Sequence, residues 1–391
     1  MSGNNSEENA VLPVTSYRDQ MVELRERILA DVVMIGEIPS PTSEEEPLAK
    51  FLCDRFTEEG LDHITADEVN NVTAIIQGTE GKKKILVAAH TDRIWDASLD
   101  HAVSVTSDCL VGPGIGDNAL GVAALTSLPY ILKHLGIELK ADVVLLGASR
   151  SLGRGDLQGL RFFTENTKLS INAGIGIEGI QLGRLSYSCL GMNRCEIWVK
   201  SPEKEDADEW SLSGAIIILN QIVQKILAIE TPEVPKTSII LGSIKSGSSF
   251  NVPSTRATLR FEVRSEEPGM VARIRERIEE IIEQVIAENR VDVTLEVIAR
   301  RKPGSIEFSH PFVRSARDII KALGIKPKVA PSISELSVLL DNDIPSMTLG
   351  LTKGDNHHQP DESIQIEPIF SGLAQLVATL QSIDNHLDNE Q

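Results

Sequence analysis

Three short apolar runs limit the folds open to this chain. Lys84–His90, Asp142–Ala148 and residues 173–180 are rich in Ile, Leu, Val, Ala and Gly, and polar or turn-forming segments bound them. Runs of that length suit strands buried on both faces. Between them, residues 119–135 and 155–166 carry apolar residues at helical spacing. Buried strands alternating with helices imply an α/β domain, a mostly parallel sheet with helices on both faces. Functional groups in such sheets collect beyond the carboxyl ends of the strands. His90, Ser149 and Glu178 fall at or near those ends.

The pattern changes after about residue 190. Strands are expected at 195–200, 238–244, 257–263 and 291–297, with helices at 214–229 and 271–286. The order β-α-β-β-α-β is that of a ferredoxin-like α+β unit. It interrupts the larger domain, which resumes with a helix at 311–323, a strand at 345–351 and a helix at 367–383. Helices near 17–36 and 45–60 precede the first apolar run, parted by prolines at 39–41. The expected organisation is a disordered start (1–15), one domain from 16–190 and 305–391, and an inserted domain over 191–304.

Asp and Glu total 57 against 38 Lys and Arg, a formal net charge of −19. Phosphate backbones repel such a surface, so nucleic acid is not expected as a partner. The polar, acidic N-terminus does not read as a secretory signal. No run of about 18 apolar residues stands out as a membrane span, so a cytoplasmic protein is expected. The four cysteines form no C-x-x-C pair and read as small core residues.

His90 and Asp92 lie two apart on a strand end, so both can face one side. Chance or a structural couple accounts for most such tripeptides, and a metal ligand with its orienting carboxylate is the other reading. Asp117 stands where a helix N-cap belongs. Glu178 sits among apolar and glycine neighbours, where a carboxylate is costly unless paired or bound to a metal. His358 lies in a polar loop, and solvent alone would account for it.

Taken in order, five blocks resemble one family. They are Val87 to Asp92, Gly116 to Ala119, Gly155 to Leu157, Asn251 to Pro253, and Gly354 to Glu362. The chain resembles, from about residue 20 to 385, the two-zinc exopeptidases and deacylases that include glutamate carboxypeptidase, acetylornithine deacetylase, succinyl-diaminopimelate desuccinylase and peptidase T. The resemblance implies that His90 and Glu178 bind one zinc, Asp117 bridges two, and His358 binds the second. It favours His358 over His357. Asp92 would orient the metal-site histidine or the base, and the Asp117–Asn118 peptide would be cis. Asn251 and Arg264 would hold the substrate, a small peptide or N-acyl amino acid with a free carboxylate. The inserted domain would be a lid through which the protein forms a homodimer.

The resemblance breaks at one place above all. Relatives carry two glutamates before the Gly155 block, the general base and a zinc ligand. Here those positions are Ser151 and Leu152. Leucine cannot bind zinc and serine cannot serve as a carboxylate base, so one zinc site is expected and the second is left short of ligands. Low or absent activity by the usual mechanism follows, with a non-catalytic binding or regulatory homologue as the alternative. Residues 201–210 also lack the histidine that relatives place there. Arg150 or Arg154 is expected to set a cation near Asp117 in compensation. No G-x-S-x-G surrounds Ser149 or Ser151, which argues against a serine nucleophile.

Overall fold

A computed structural model describes residues 13–201, 214–289 and 291–389. The chain forms two compact units, residues 1–188 with 305–391, and residues 189–304.

The first unit is built on an eight-stranded sheet. Its centre runs Asp142–Ala148, Lys84–His90, Ala173–Glu178 and Ser346–Gly350, all parallel. Alternate side chains of these strands feed two separate cores. Ile85, Val87 and Ala89 join Val143, Leu145 and Ile175 beneath the helices Leu120–His134 and Glu367–Asn389. Leu86 and Ala88 join Val144 and Leu146 on the other face, under Leu160, Phe163, Val338 and Leu339. A strand covered on both faces must be apolar at every position, which is why these runs are continuous.

The sheet is mixed at its flanks. Asp62–Ala66 and Val72–Ile76 add an antiparallel hairpin beside Asp142–Ala148. Arg184–Ser186 runs antiparallel to Ser346–Gly350, and Lys328–Val329 runs parallel to Arg184–Ser186. The short helix Leu336–Asp341 packs near the strand Ser346–Gly350.

Several local expectations need correction. Pro13 to Thr15 belong to a helix, Pro13–Met21, while residues 1–12 lie outside the described residues. The helix expected at 155–166 begins at Gln158, because Asp156 and Leu157 both hold left-handed backbone (φ 50° and 61°). Residues 115–134 do pass for a membrane span by length and composition. They are 94% buried inside the fold, as a core helix is. The cysteines are all free, with Cys189 and Cys195 buried.

The second unit has the strands Gly191–Lys200, Thr237–Ser246, Arg256–Ser265 and Asp292–Arg301, and the helices Ala215–Leu227 and Met270–Asn289. In chain order these strands are first to fourth, and they lie second, third, first, fourth across an antiparallel sheet. That is the ferredoxin-like arrangement. Leu259, Phe261 and Val263 bury one face of their strand against the helices.

Candidate metal centre

Parallel register brings the first two side chains together. Ala88 pairs with Gly176, so two residues further His90 lies level with Glu178 on the same face of the sheet. Both are the last residues of their strands. Asp117 arrives from the turn before the helix Leu120–His134. Its neighbour Asn118 fixes it there: the Asn118 side chain donates to Ile177 O at 2.9 Å and accepts from Gly179 N at 2.8 Å. Those two backbone groups flank Glu178, so one amide ties the Asp117 turn to the Glu178 strand end. Gly121 makes room for that amide, since a Cβ there would lie 2.1 Å from Asn118 Oδ1. The Asp117–Asn118 peptide is cis.

The two oxygens of Asp117 face different partners. Oδ1 lies 3.0 Å from His90 Nε2, and Oδ2 lies 2.9 Å from His358 Nε2. Ligand atoms of His90, Asp117 and Glu178 fall within 4.8 Å of one another, and so do those of Asp117, His357 and His358. The structure therefore brings together His90, Asp117, Glu178 and His358, and adds His357, the neighbour that the motif spacing disfavours. His357 Nδ1 lies 3.2 Å from Glu362 Oε1, and its Nε2 lies 3.8 Å from Asp117 Oδ2.

The electrostatics are those of a crowded, part-buried cluster of carboxylates and imidazoles. Burial pushes Glu178 up to about 7, against the opposing pull of Arg184 and His90. Burial also pushes Glu362 up to about 7, with the Asp117 charge adding to it. Burial would raise Asp117 as well, but hydrogen bonds from His358 and His90 hold it far below the usual carboxylate range. Burial would lower His90, yet its bonds to Asp117 and Asp92 carry it well above an ordinary histidine. One anion bridging two imidazoles is the charge pattern that a divalent cation can replace.

Asp92 differs in detail from expectation. His90 Nδ1 is oriented by the Asp92 backbone carbonyl at 3.0 Å, while the carboxylate stands off at 3.6 Å. That carboxylate instead accepts from Ser151 N at 3.0 Å, Leu152 N at 2.8 Å and Thr42 Oγ1 at 2.8 Å. It thus anchors the loop that holds Ser151 and Leu152, where the resemblance leads one to expect a glutamate pair. Ser151 is buried and its Oγ has no hydrogen-bond partner. Ser149 Oγ donates to Val69 O, a structural role.

The compensating cation expected from Arg150 is directed elsewhere. Arg150 turns its guanidinium to Gln158 Oε1 at 3.3 Å, and Arg154 is exposed. Among the described residues, His90 and His358 are the side chains that bond to Asp117, and the buried Arg93 guanidinium adds a positive charge that bears on it.

Two buried carboxylates escape sequence reasoning. Glu45 accepts from Ser43 N and Arg150 N, both at 2.9 Å, and so holds the start of the same loop. Glu335 precedes the helix Leu336–Asp341 without a side-chain cap bond, and its charge bears on His90 and Glu178. Neither stands in a motif with a readable spacing. Glu362 could have been noticed, because it closes the His358 block.

In the second unit, Arg264 lies on the face opposite Leu259, Phe261 and Val263, as its register requires. It is not a free cation there: its Nε donates to Glu262 Oε2 at 2.8 Å, and Glu262 also accepts from Arg194. Asn251 is exposed in the loop before Arg256–Ser265 and accepts from Ser249 Oγ at 3.2 Å. Residues 202–210, the acidic stretch without a histidine, lie outside the described residues.

Nitrogen and oxygen donors from two strand ends, a turn and a loop gather around the Asp117 carboxylate at the carboxyl ends of a parallel sheet, a set that could hold a divalent metal. The chain belongs to peptidase family M20/M25/M40, whose profile matches residues 86–382. It is 20% identical over 310 residues to the [LysW]-lysine/[LysW]-ornithine hydrolase of Saccharolobus islandicus, covering 78% of this chain and 82% of that protein. Its fold is similar to that of a dipeptidase from Saccharomyces cerevisiae, with a TM-score of 0.79 at 13% identity over 95% of this chain and 98% of that one. It is also similar in fold to a dinuclear metal-binding M20 peptidase from Bacillus subtilis, with a TM-score of 0.62 at 17% identity over 92% and 98% of the two chains.

Proposed function

We propose that this M20 protein binds zinc at His90, Asp117 and Glu178 and takes a small peptide or N-acyl amino acid with a free carboxylate. We propose further that its hydrolysis by the usual route is slow or absent. The observation that carries the reading is a contrast: the donors at the strand ends are in place, while the loop at Ser151 and Leu152 offers no carboxylate. The donor set suits zinc, which accepts imidazole nitrogen and carboxylate oxygen. A bound divalent ion would supply Lewis acidity toward an amide carbonyl. This chain's own residues would do the rest. Asn118 would hold Asp117 in register with Glu178, and the Asp92 backbone carbonyl would orient His90. Loss of a general base removes a factor on the order of 10²–10⁴ in rate.

The substrate class rests on the relatives. The archaeal one is named for hydrolysing [LysW]-lysine and [LysW]-ornithine, and the yeast one is a dipeptidase. Arg264 is the residue proposed to meet the substrate carboxylate together with Asn251, and it would have to leave Glu262 to do so. A cytoplasmic location and self-association through the second unit belong to the same reading. The absent base also supports a second reading, a binding or regulatory homologue.

A panel of dipeptides and N-acyl amino acids, assayed with added zinc, separates the two. Turnover that disappears in His90→Ala supports a hydrolase. A ligand-induced rise in melting temperature without turnover supports the binding protein. Neither response, with either class of ligand, would defeat the proposed function.

A further inference from the structure

Leu152 removes one expected ligand from the second metal position, yet the structure places another donor beside it. We propose that His357 replaces that lost carboxylate, so that Asp117, His357 and His358 hold a second divalent ion. This rests on the proposed function above, which supplies the first ion at His90 and Glu178.

Three observations on the loop carry the proposal. The first is backbone conformation. Consecutive residues on an extended chain point to opposite sides. Here Asn356 and His358 both adopt left-handed backbone (φ 56° and 62°), which breaks that alternation. Non-glycine residues adopt it rarely, and such positions gather at functional sites. The result is two neighbouring imidazoles on one side, with ring centroids 3.7 Å apart and donor atoms within 4.8 Å of the Asp117 carboxylate.

The second is the orientation of His357. Its Nδ1 faces Glu362 Oε1 at 3.2 Å, and Glu362 is buried. Once Glu362 is ionised, above about pH 7, its carboxylate only accepts, so Nδ1 carries the hydrogen and Nε2 keeps its lone pair. That is the carboxylate–histidine arrangement that prepares an imidazole to bind a metal. The third is the gap at Nε2. It faces Asp117 Oδ2 at 3.8 Å, too far for a hydrogen bond. Two electron-rich atoms facing each other across such a gap suit a shared cation. Three protein donors then remain for the second ion, the usual number for a site that keeps one position open.

The alternative is that His357 merely stacks on His358. Metal content decides between them without reference to turnover. The full-length chain is stripped with a chelator, titrated with zinc by calorimetry and assayed for bound metal. The expected result is two ions per chain. His357→Ala should keep one, with affinity for the second weakened by more than about 100-fold, beyond the usual loss of an outer-shell partner. Adding Leu152→Glu to His357→Ala should restore the second ion, because a carboxylate then returns to the position it holds in relatives. The imidazole of His357 is partly exposed, and a melting curve unchanged from wild type checks the fold of the variant. One ion in the wild type, or two bound equally well by His357→Ala, would overturn the proposal and leave the first site standing. No ion at all would overturn the metal reading of the whole centre.

Discussion

His90 and His358 hold opposite oxygens of the same Asp117 carboxylate, but His90 is 4% exposed and the His358 side chain is 53% exposed. The buried half of the centre consists of strand ends. His90 and Glu178 cannot be moved without disturbing the core runs behind them, and Asn118 ties the bridging residue to the same strand. The more exposed half consists of loops, the one at 150–152, where Ser151 itself is buried, and the one at 354–362, where His357 and His358 are exposed. Every departure from the family pattern at this centre falls in that half. Loops tolerate substitution because their backbone bonds go to few core partners, whereas a strand end inherits the constraints of its sheet. The contrast shows where such a centre can change its chemistry and where it cannot.

The largest effect expected concerns the residue shared by both halves. Asp117→Asn should abolish tight zinc binding at both positions, read as metal content after dialysis. Retention of one tightly held ion would show that the halves are independent. Next comes the double replacement of Ser151→Glu with Leu152→Glu. It should raise the hydrolysis rate by about 10²–10⁴-fold on a dipeptide that the protein binds. No gain, in a variant that still melts as a folded protein, would place a second defect outside the exposed half.

Glu362→Gln tests the exposed half alone. Outer-shell partners change metal affinity by about 10–100-fold, so the weaker of two zinc affinities should fall by that factor and the stronger should not move. The smallest effect is one of pH. In the metal-free protein Glu178 and Glu362 are each pushed up by burial to about 7. A raised folded-state carboxyl stabilises fully below its unfolded value, about 4.3, and that stability is lost as pH rises through the folded value. His90, also raised, acts in the same direction. Asp117 is lowered, and its contribution is lost only in strong acid. The chelated protein should therefore melt at a lower temperature at pH 8 than at pH 5.5. With zinc present the trend should reverse, since the ion competes with protons for the same atoms.

The same contrast governs what could be read from the sequence. The central strands were legible because burial on both faces demands continuous apolar runs, and His90 and Glu178 stood out as polar ends to those runs. The hairpin of Asp62–Ala66 and Val72–Ile76 was not legible, because its outer strand is largely exposed and carries no apolar signal. Leu336–Asp341 is too short to show helical periodicity, so Glu335 had no frame. His357 was invisible for a different reason. Its side depends on left-handed backbone at both Asn356 and His358, and although Asn and His tolerate that conformation, neither residue requires it. The cation expected from Arg150 failed because Gln158, one helical start away, offers it a neutral acceptor.

The anchoring of the 150–152 loop has a consequence of its own. Asp92, Glu45 and Thr42 secure that loop through backbone N–H groups and through each other, and no side chain at 151 or 152 takes part in those bonds. The mounting and the fitting are therefore separable. The hydrogen bonds that fix the path of the chain there go to backbone N–H groups, so exchanging either side chain removes none of them. A protein so arranged is two side chains away from a different temperament, and its architecture would register almost nothing of the exchange.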